Sequence, residues 1–202
     1  MDFDTYHTIL QPSESVLFKD RNSKFFGYAY PVRNEDQVKE YIETLKKTHH
    51  SARHWCYAYQ IGVENSVYRA NDDGEPNNSA GMPIYGQIQS FDLTNILIVV
   101  VRYFGGTKLG VGGLINAYRT AAKMALDSSK IVERTINKHL LVSCTYDHLN
   151  SVMRVIKEKK LKVMNQDMQL ECRLKIEVRL KDSETIFSTF EKLQHIAVEF
   201  IE

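Results

Sequence analysis

The chain has 202 residues, room for one large domain or two small ones with a workable core. Apolar residues make up 43% and charged residues 25%, the balance of a soluble globular protein. Twenty-six lysines and arginines meet 25 acids for a net charge of +1, which excludes a global basic field, so any anion site has to be local.

In chain order, Tyr6–Leu10, Ser15–Lys19 and Lys24–Val32 read as successive strands, with Arg21-Asn22-Ser23 as a tight turn between the last two. NEDQVKEYIETLKKTHH reads as a helix. Asn34 caps it, Gln37 holds the return position of a capping box, and Val38, Tyr41, Ile42 and Leu45 share a face. HWCYAYQIG alternates, with Trp55, Tyr57, Tyr59 and Ile61 on one side and Cys56 and Ala58 on the other. It is a strand, and His54 stands at its start. Val67–Ala70 pairs back as a hairpin arm, and Met82–Ser90 is weakly helical. Asn95–Arg102 is a fully buried strand and Leu114–Leu126 a helix, with Ala117, Ala121 and Ala125 spaced to press against a sheet. Beyond these, Lys138–Thr145 is a strand, His148–Lys159 a helix, and Leu161–Met168 with Leu170–Leu180 a hairpin. Helix Ser183–Leu193 and strand Ala197–Ile201 complete a βαββαβ order, that of a ferredoxin-like domain.

Cys56, Cys144 and Cys172 form no CxxC pair and read as reduced thiols of a cytoplasmic protein. The start, MDFDTYHT, carries acids where a secretion signal carries basic residues. The longest aliphatic run, Ile96–Val101, falls far short of the roughly 20 residues of a membrane helix.

Two stretches carry the chemistry. RYFGGTKLGVGG gathers five of the ten glycines between a buried strand and a helix. That arrangement points backbone N–H groups at an anion, and Arg102 and Lys108 add fixed charge. It is not a phosphate loop, because Val111-Gly112 replaces the Lys-Ser/Thr pair; nor is it a dinucleotide fingerprint, because Ile115 replaces the third glycine. The bland alternative is that these glycines serve turning and packing alone. The second stretch, NDDGEPNNSAGMP, places Asp72, Asp73 and Glu75 around Gly74. Three such carboxylates suit acid–base work or a hard cation, although the same residue types build ordinary turns. Pro83 in the twelfth position excludes an EF-hand, and no metal is assigned. If the two loops meet, Asp72 and Asp73 face Arg102 and Lys108 across a cleft with His54 beside them. Tyr103-Phe104 offers stacking surface for a base. KEKKLK at Lys157–Lys162 is a solvated helix end or a phosphate patch.

The motifs RHWCYAYQIG, NDDGEP…SAGMPI and NILIVVVRYFGGTKLGVGGLINAYRTAA together resemble the IMPACT/YigZ family, from about residue 15 to 130. Asn77-Asn78-Ser79 departs from the small-Gly-Thr sequence that many members carry there. The resemblance implies an α+β protein. Its N-terminal α/β domain, 1–134, would be of the ribosomal-protein domain-2-like, left-handed βαβ type, and 135–202 the ferredoxin-like domain. The pair looks like the last two domains of the translocating elongation factor, and eukaryotic relatives are linked to control of translation.

The expectation is therefore a regulatory protein that binds RNA or the ribosome through a polar cleft. Its anion contacts would be Arg102, Tyr103, Gly105, Gly106, Lys108 and Gly110. The alternative is a small-molecule enzyme, a hydrolase or one acting on a phosphate substrate. It would use the same cleft, with His54, Asp72, Asp73 and Glu75 as catalytic candidates. A small anionic ligand fits either reading; no cofactor is assigned, and a membrane partner is not expected.

Overall fold

In the computed structural model, which describes residues 4–201, the apolar run Ile96–Tyr103 is the middle strand of a five-stranded sheet. A strand covered on both faces needs no polar side, which is why this stretch shows no alternation. The elements of the first compact unit, residues 6–134, follow in chain order. They are β1 (Thr5–Ile9), β2 (Val16–Asp20), β3 (Ser23–Pro31), α1 (Glu35–Thr48), β4 (His54–Ile61), β5 (Val67–Asn71), α2 (Gly81–Ser90), β6 (Ile96–Tyr103), α3 (Gly110–Asp127) and β7 (Ile131–Thr135). The sheet order is β2-β3-β6-β4-β5 with every neighbouring pair antiparallel, and β1 pairs with β7.

Local chemistry explains the boundaries. Arg21 and Asn22 both take positive φ, 43° and 64°, and make a two-residue hairpin turn between β2 and β3. The Asn34 side chain accepts the Gln37 N–H at 3.0 Å, while the Gln37 side chain accepts from Arg33 N at 2.7 Å. The return bond of the cap thus lands one residue earlier than in a standard capping box.

Side chains of β6 divide by parity. Ile96, Ile98 and Val100 enter one core with α2 and α3; Leu97, Val99 and Val101 enter another with Val38, Ile42 and Leu45 of α1. The seat of α3 depends on Gly27. A Cβ there would lie 2.5 Å from the Ala121 carbonyl oxygen, so a bare backbone and an alanine stripe let helix and sheet close.

Two features differ from the sequence expectation. Helix α3 starts at Gly110, four residues earlier than Leu114, so the second half of the glycine stretch is helix. Strand β7 was not expected; its residues are mostly exposed, and it is defined by pairing with β1 rather than by a buried face.

The second unit holds residues 135–201 with residues 4 and 5. Its elements are β8 (Asn137–Cys144), α4 (Leu149–Glu158), β9 (Lys162–Met168), β10 (Cys172–Arg179), α5 (Ser183–Glu191) and β11 (Ile196–Ile201). They follow the strand and helix order read from the sequence, in an antiparallel sheet ordered β11-β8-β10-β9. Leu140, Val142, Leu174, Ile176, Val152, Ile156 and Phe190 fill its core. The expected first domain began at residue 1, yet Asp4 and Thr5 group with this second unit. The Asp4 carbonyl accepts the Ile136 N–H at 2.8 Å, and the Asp4 carboxylate pairs with Arg179 at 2.5 Å. Among the described residues, no helix is long and apolar enough to cross a membrane.

Two glycine substitutions should separate packing from propensity. Gly27→Ala drives a methyl into the α3 backbone and should destabilise the chain by about 1–3 kcal/mol. Gly86, inside α2 without positive φ, has open space where its Cβ would be. Gly86→Ala should stabilise by about 0.5–1 kcal/mol. Urea unfolding of both variants checks the pair of signs.

Candidate functional site

His54, the first residue of β4, and Arg102, next to last in β6, are register partners at one end of the sheet. The loop before α2 and the loop before α3 arrive at that same end. Together they wall a cleft of about 440 Å³ lined by Arg53, His54, Glu75, Arg102, Phe104 and Lys108. Leu109, Val111 and Leu114, from the start of α3 and the residue before it, give the cleft an apolar side.

A buried ion pair anchors it. Glu75 Oε1 accepts from Arg102 Nη1 at 2.6 Å and from the Tyr118 hydroxyl at 2.7 Å. Arg102 is 5% exposed, and its guanidinium lies 5.5 Å from the ring centres of both Phe25 and Phe104. Breaking such a pair by removing one partner strands the other charge away from water, at a cost of about 3–5 kcal/mol. Parity along β6 explains how an arginine came to be buried there: it continues the Ile98, Val100 face, beneath α3, where Tyr118 and Glu75 meet it. Burial raises the Tyr118 pKa far above the ordinary phenol value, so the hydroxyl stays a donor. Beneath it, Cys56 Sγ donates to the Asp72 carbonyl at 3.0 Å, and burial likewise pushes this thiol up. Cys56 is no nucleophile at neutral pH.

His54 is oriented by one bond. Its Nδ1 lies 2.8 Å from the Asp73 carbonyl oxygen, which can only accept, so Nδ1 carries the proton. Nε2 lies 4.0 Å from Glu75 Oε1. The hydrogen bonds that Glu75 accepts from Arg102 and Tyr118 both fall on Oε1.

Asp72 and Asp73 do different work from Glu75. Asp72 Oδ1 accepts from Ala80 N at 2.9 Å and Gly81 N at 2.8 Å, and Oδ2 accepts from Asn78 N at 2.8 Å. It caps α2, whose own N-cap, Ala80, has no side chain able to do so. Asp73 Oδ2 accepts the Trp55 N–H at 2.7 Å. Their mutual repulsion is therefore offset by backbone donors, not by Arg102 and Lys108 as the sequence suggested, and neither lines the cleft.

The glycine stretch divides as well. The position of a Gly105 Cβ is taken by the backbone of Asn22, and the Gly105 N–H donates to Ser23 Oγ at 3.1 Å. That amide is already used by the fold. Gly106 needs its positive φ of 88° and has open space around it; Gly110, at φ 73°, lines the cleft. Tyr103 points to the opposite face of the sheet, where its hydroxyl meets His49 Nδ1 at 2.9 Å and Tyr28 holds Nε2 at 2.6 Å. Burial lowers the His49 pKa. Of the two adjacent aromatics, Phe104 is the one at the cleft. Sequence reasoning left Arg53 and Tyr118 out; the signal for Tyr118 was a large polar ring beside the Ala117–Ala121 stripe.

Against known proteins, residues 21–126 match the profile of the Impact N-terminal domain. The chain belongs to the IMPACT family. "IMPACT family member YvyE" of Bacillus subtilis is 35% identical over 156 residues, covering 77% of this chain and 71% of that one. An "IMPACT family member" of Haemophilus influenzae is 31% identical over 186 residues, 89% of each chain. A solved structure described as that of a hypothetical protein superposes at TM-score 0.73 over 98% of each chain, at 24% identity; it shares the fold.

All the cleft residues of this IMPACT-family chain fall inside the matched stretch. The second unit has a separate cleft of about 530 Å³ that includes Lys159, Lys160 and Lys162 of the basic run, interleaved with Glu177 and Asp182. Lys162 pairs with Glu177 at 3.3 Å. Among the described residues, no cluster of three or more His, Cys, Asp or Glu is placed to hold a metal ion.

The division of the carboxylates is testable by stability. Asp72→Ala removes the acceptor for three backbone donors and should cost about 1–3 kcal/mol in chemical denaturation. Lys108→Ala, which removes an exposed side chain with no ion pair among the described residues, should stay within about 0.5 kcal/mol. Separately, Cys56 of the native chain should resist iodoacetamide at pH 8 and react once unfolded, as peptide mass spectrometry would read.

Proposed function

We propose that this IMPACT-family chain is a translation-associated regulatory protein that binds RNA, free or on the ribosome, through the cleft beneath α3. One observation carries the reading: Arg53, Arg102 and Lys108 line the cleft against a single carboxylate, Glu75. With Glu75 paired to Arg102, two cations are left over in a chain whose net charge is only +1. That is the local field a phosphate needs, and phosphate contacts dominate nucleic-acid affinity. Support comes also from α3, which begins at the cleft without a side-chain cap and so leaves first-turn N–H groups for an anion. Phe104, 43% exposed and backed by the Arg102 guanidinium, presents a ring on which a base can stack. The link to translation rests on the family resemblance.

A second reading has its own observation. His54 Nε2 lies 4.0 Å from Glu75 Oε1, the kind of pairing an enzyme uses to move a proton. In that case the phosphate-bearing molecule is small and is turned over.

Salt separates the two. Binding of single-stranded RNA should weaken steeply as salt rises, and Lys108→Ala should flatten the log–log slope by about 0.7, one phosphate contact. Arg53→Ala should do the same. If neither variant moves the slope or the affinity, the cleft is not where RNA binds.

A further inference from the structure

The end of the sheet opposite the cleft carries polar groups that the RNA reading does not use. There β3 ends at Pro31 against the start of β6 at Ile96, and β1 runs beside β7. A small pocket of about 190 Å³ opens among them, and its polar lining includes Arg33, Gln37, Asn95 and Arg134. All of its lining residues belong to the first unit. At about 3.3 Å per residue, Asn95 at this pocket and Arg102 at the cleft are roughly 20 Å apart. A small molecule in one cannot touch the other.

This pocket offers a ligand donors. Arg33 and Arg134 are exposed cations, and a guanidinium has no acceptor. Gln37 Oε1 accepts the Arg33 N–H at 2.7 Å, and Asn95 Oδ1 accepts the Gly62 N–H at 2.9 Å. A backbone N–H only donates, so these bonds fix both amides with oxygen toward the fold and leave NH2 donors for a ligand. Among the described residues no carboxylate lines the pocket, and neither arginine has an ion pair. The acids closest in sequence are turned to other partners. Glu35 accepts from the Tyr59 hydroxyl at 2.6 Å, Asp36 pairs with Lys39 at 2.9 Å, and Glu133 faces His7 Nε2 at 3.9 Å. We infer that this pocket is a second anion site and that it holds a phosphate group. A carboxylate meets one guanidinium fork within its own plane, whereas the oxygens of a phosphate spread tetrahedrally and can meet two forks from different directions. A free phosphate compound and the backbone of a bound RNA both bring this group, so the site stands whether or not the cleft binds RNA.

The test is an amide NMR titration of the full chain at constant ionic strength. Its probes are inorganic phosphate, adenosine 5′-monophosphate and an octaribonucleotide. Inorganic phosphate should shift Arg33, Gln37, Asn95 and Arg134 along one saturable curve. Arg33→Gln and Arg134→Gln should each weaken that binding about tenfold, the loss of one charge-assisted contact. Arg134→Lys keeps the charge but loses the fork, and should recover only part of the affinity. Both arginines are exposed, so the variants should melt with the native chain, which separates lost binding from lost fold. A response to all three probes sustains the site as one for a free phosphate group. A response to the octamer alone sustains it as a contact for the RNA backbone. No saturable shift at these residues with any probe, equal shifts with potassium chloride, or unchanged affinity in both glutamine variants overturns it. Phosphate shifts confined to Lys108, Gly110 and their neighbours also overturn the second site, while leaving the RNA reading of the cleft in place.

Discussion

The Glu75–Arg102 ion pair is the constraint on which the site depends. Each ion is nearly out of water, and among the described residues neither has another opposite charge within 4 Å except the His54 ring when protonated. A buried pair contributes little net stability compared with apolar residues of the same volume, but it tolerates only one geometry. That geometry joins the loop before α2 to the end of β6, and Tyr118 adds α3 to the same oxygen. Three segments far apart in sequence are thus registered at one atom, Glu75 Oε1.

Around that atom the polar groups sort by what they still offer. The loop aspartates are saturated by backbone donors, and the Gly105 amide by Ser23. What is left over at the cleft is cationic, with His54 and the Glu75 carboxylate beside it. A surface of mixed capacity favours ligands that are themselves mixed, and a chain of nearly neutral net charge contributes no long-range attraction to blur that selectivity.

Much of this was legible in the sequence. The apolar run of β6, the capped α1, the alternation of β4 and the order of the second unit all came from periodicity and turn chemistry. His54, Glu75, Arg102 and Lys108 were singled out, and they line one cleft. The sequence did not distinguish Asp72 and Asp73 from Glu75, because three carboxylates in four residues look alike until the backbone N–H groups they meet are known. Parity would have separated Tyr103 from the cleft: it follows Arg102 in a strand, so its side chain takes the other face. β7 escaped because a short exposed strand has no apolar pattern to betray it. The start of α3 was hidden by its glycines, which disfavour helix by propensity but are overridden by the packing of Leu114 and the residues after it.

The seat of α3 on the sheet has a consequence for the cleft. Tyr118 and Ala121 are three residues apart, almost one turn, and so lie along the same side of the helix. The Ala121 carbonyl rests over Gly27, and Tyr118 reaches Glu75. A helix is stiff over one turn, so the gap at Gly27 acts as a shim. Its thickness sets the height of the Tyr118 hydroxyl above the carboxylate, and with it how firmly Glu75 is held. A missing methyl group on a strand outside the cleft thus calibrates the reach of a hydrogen bond within it.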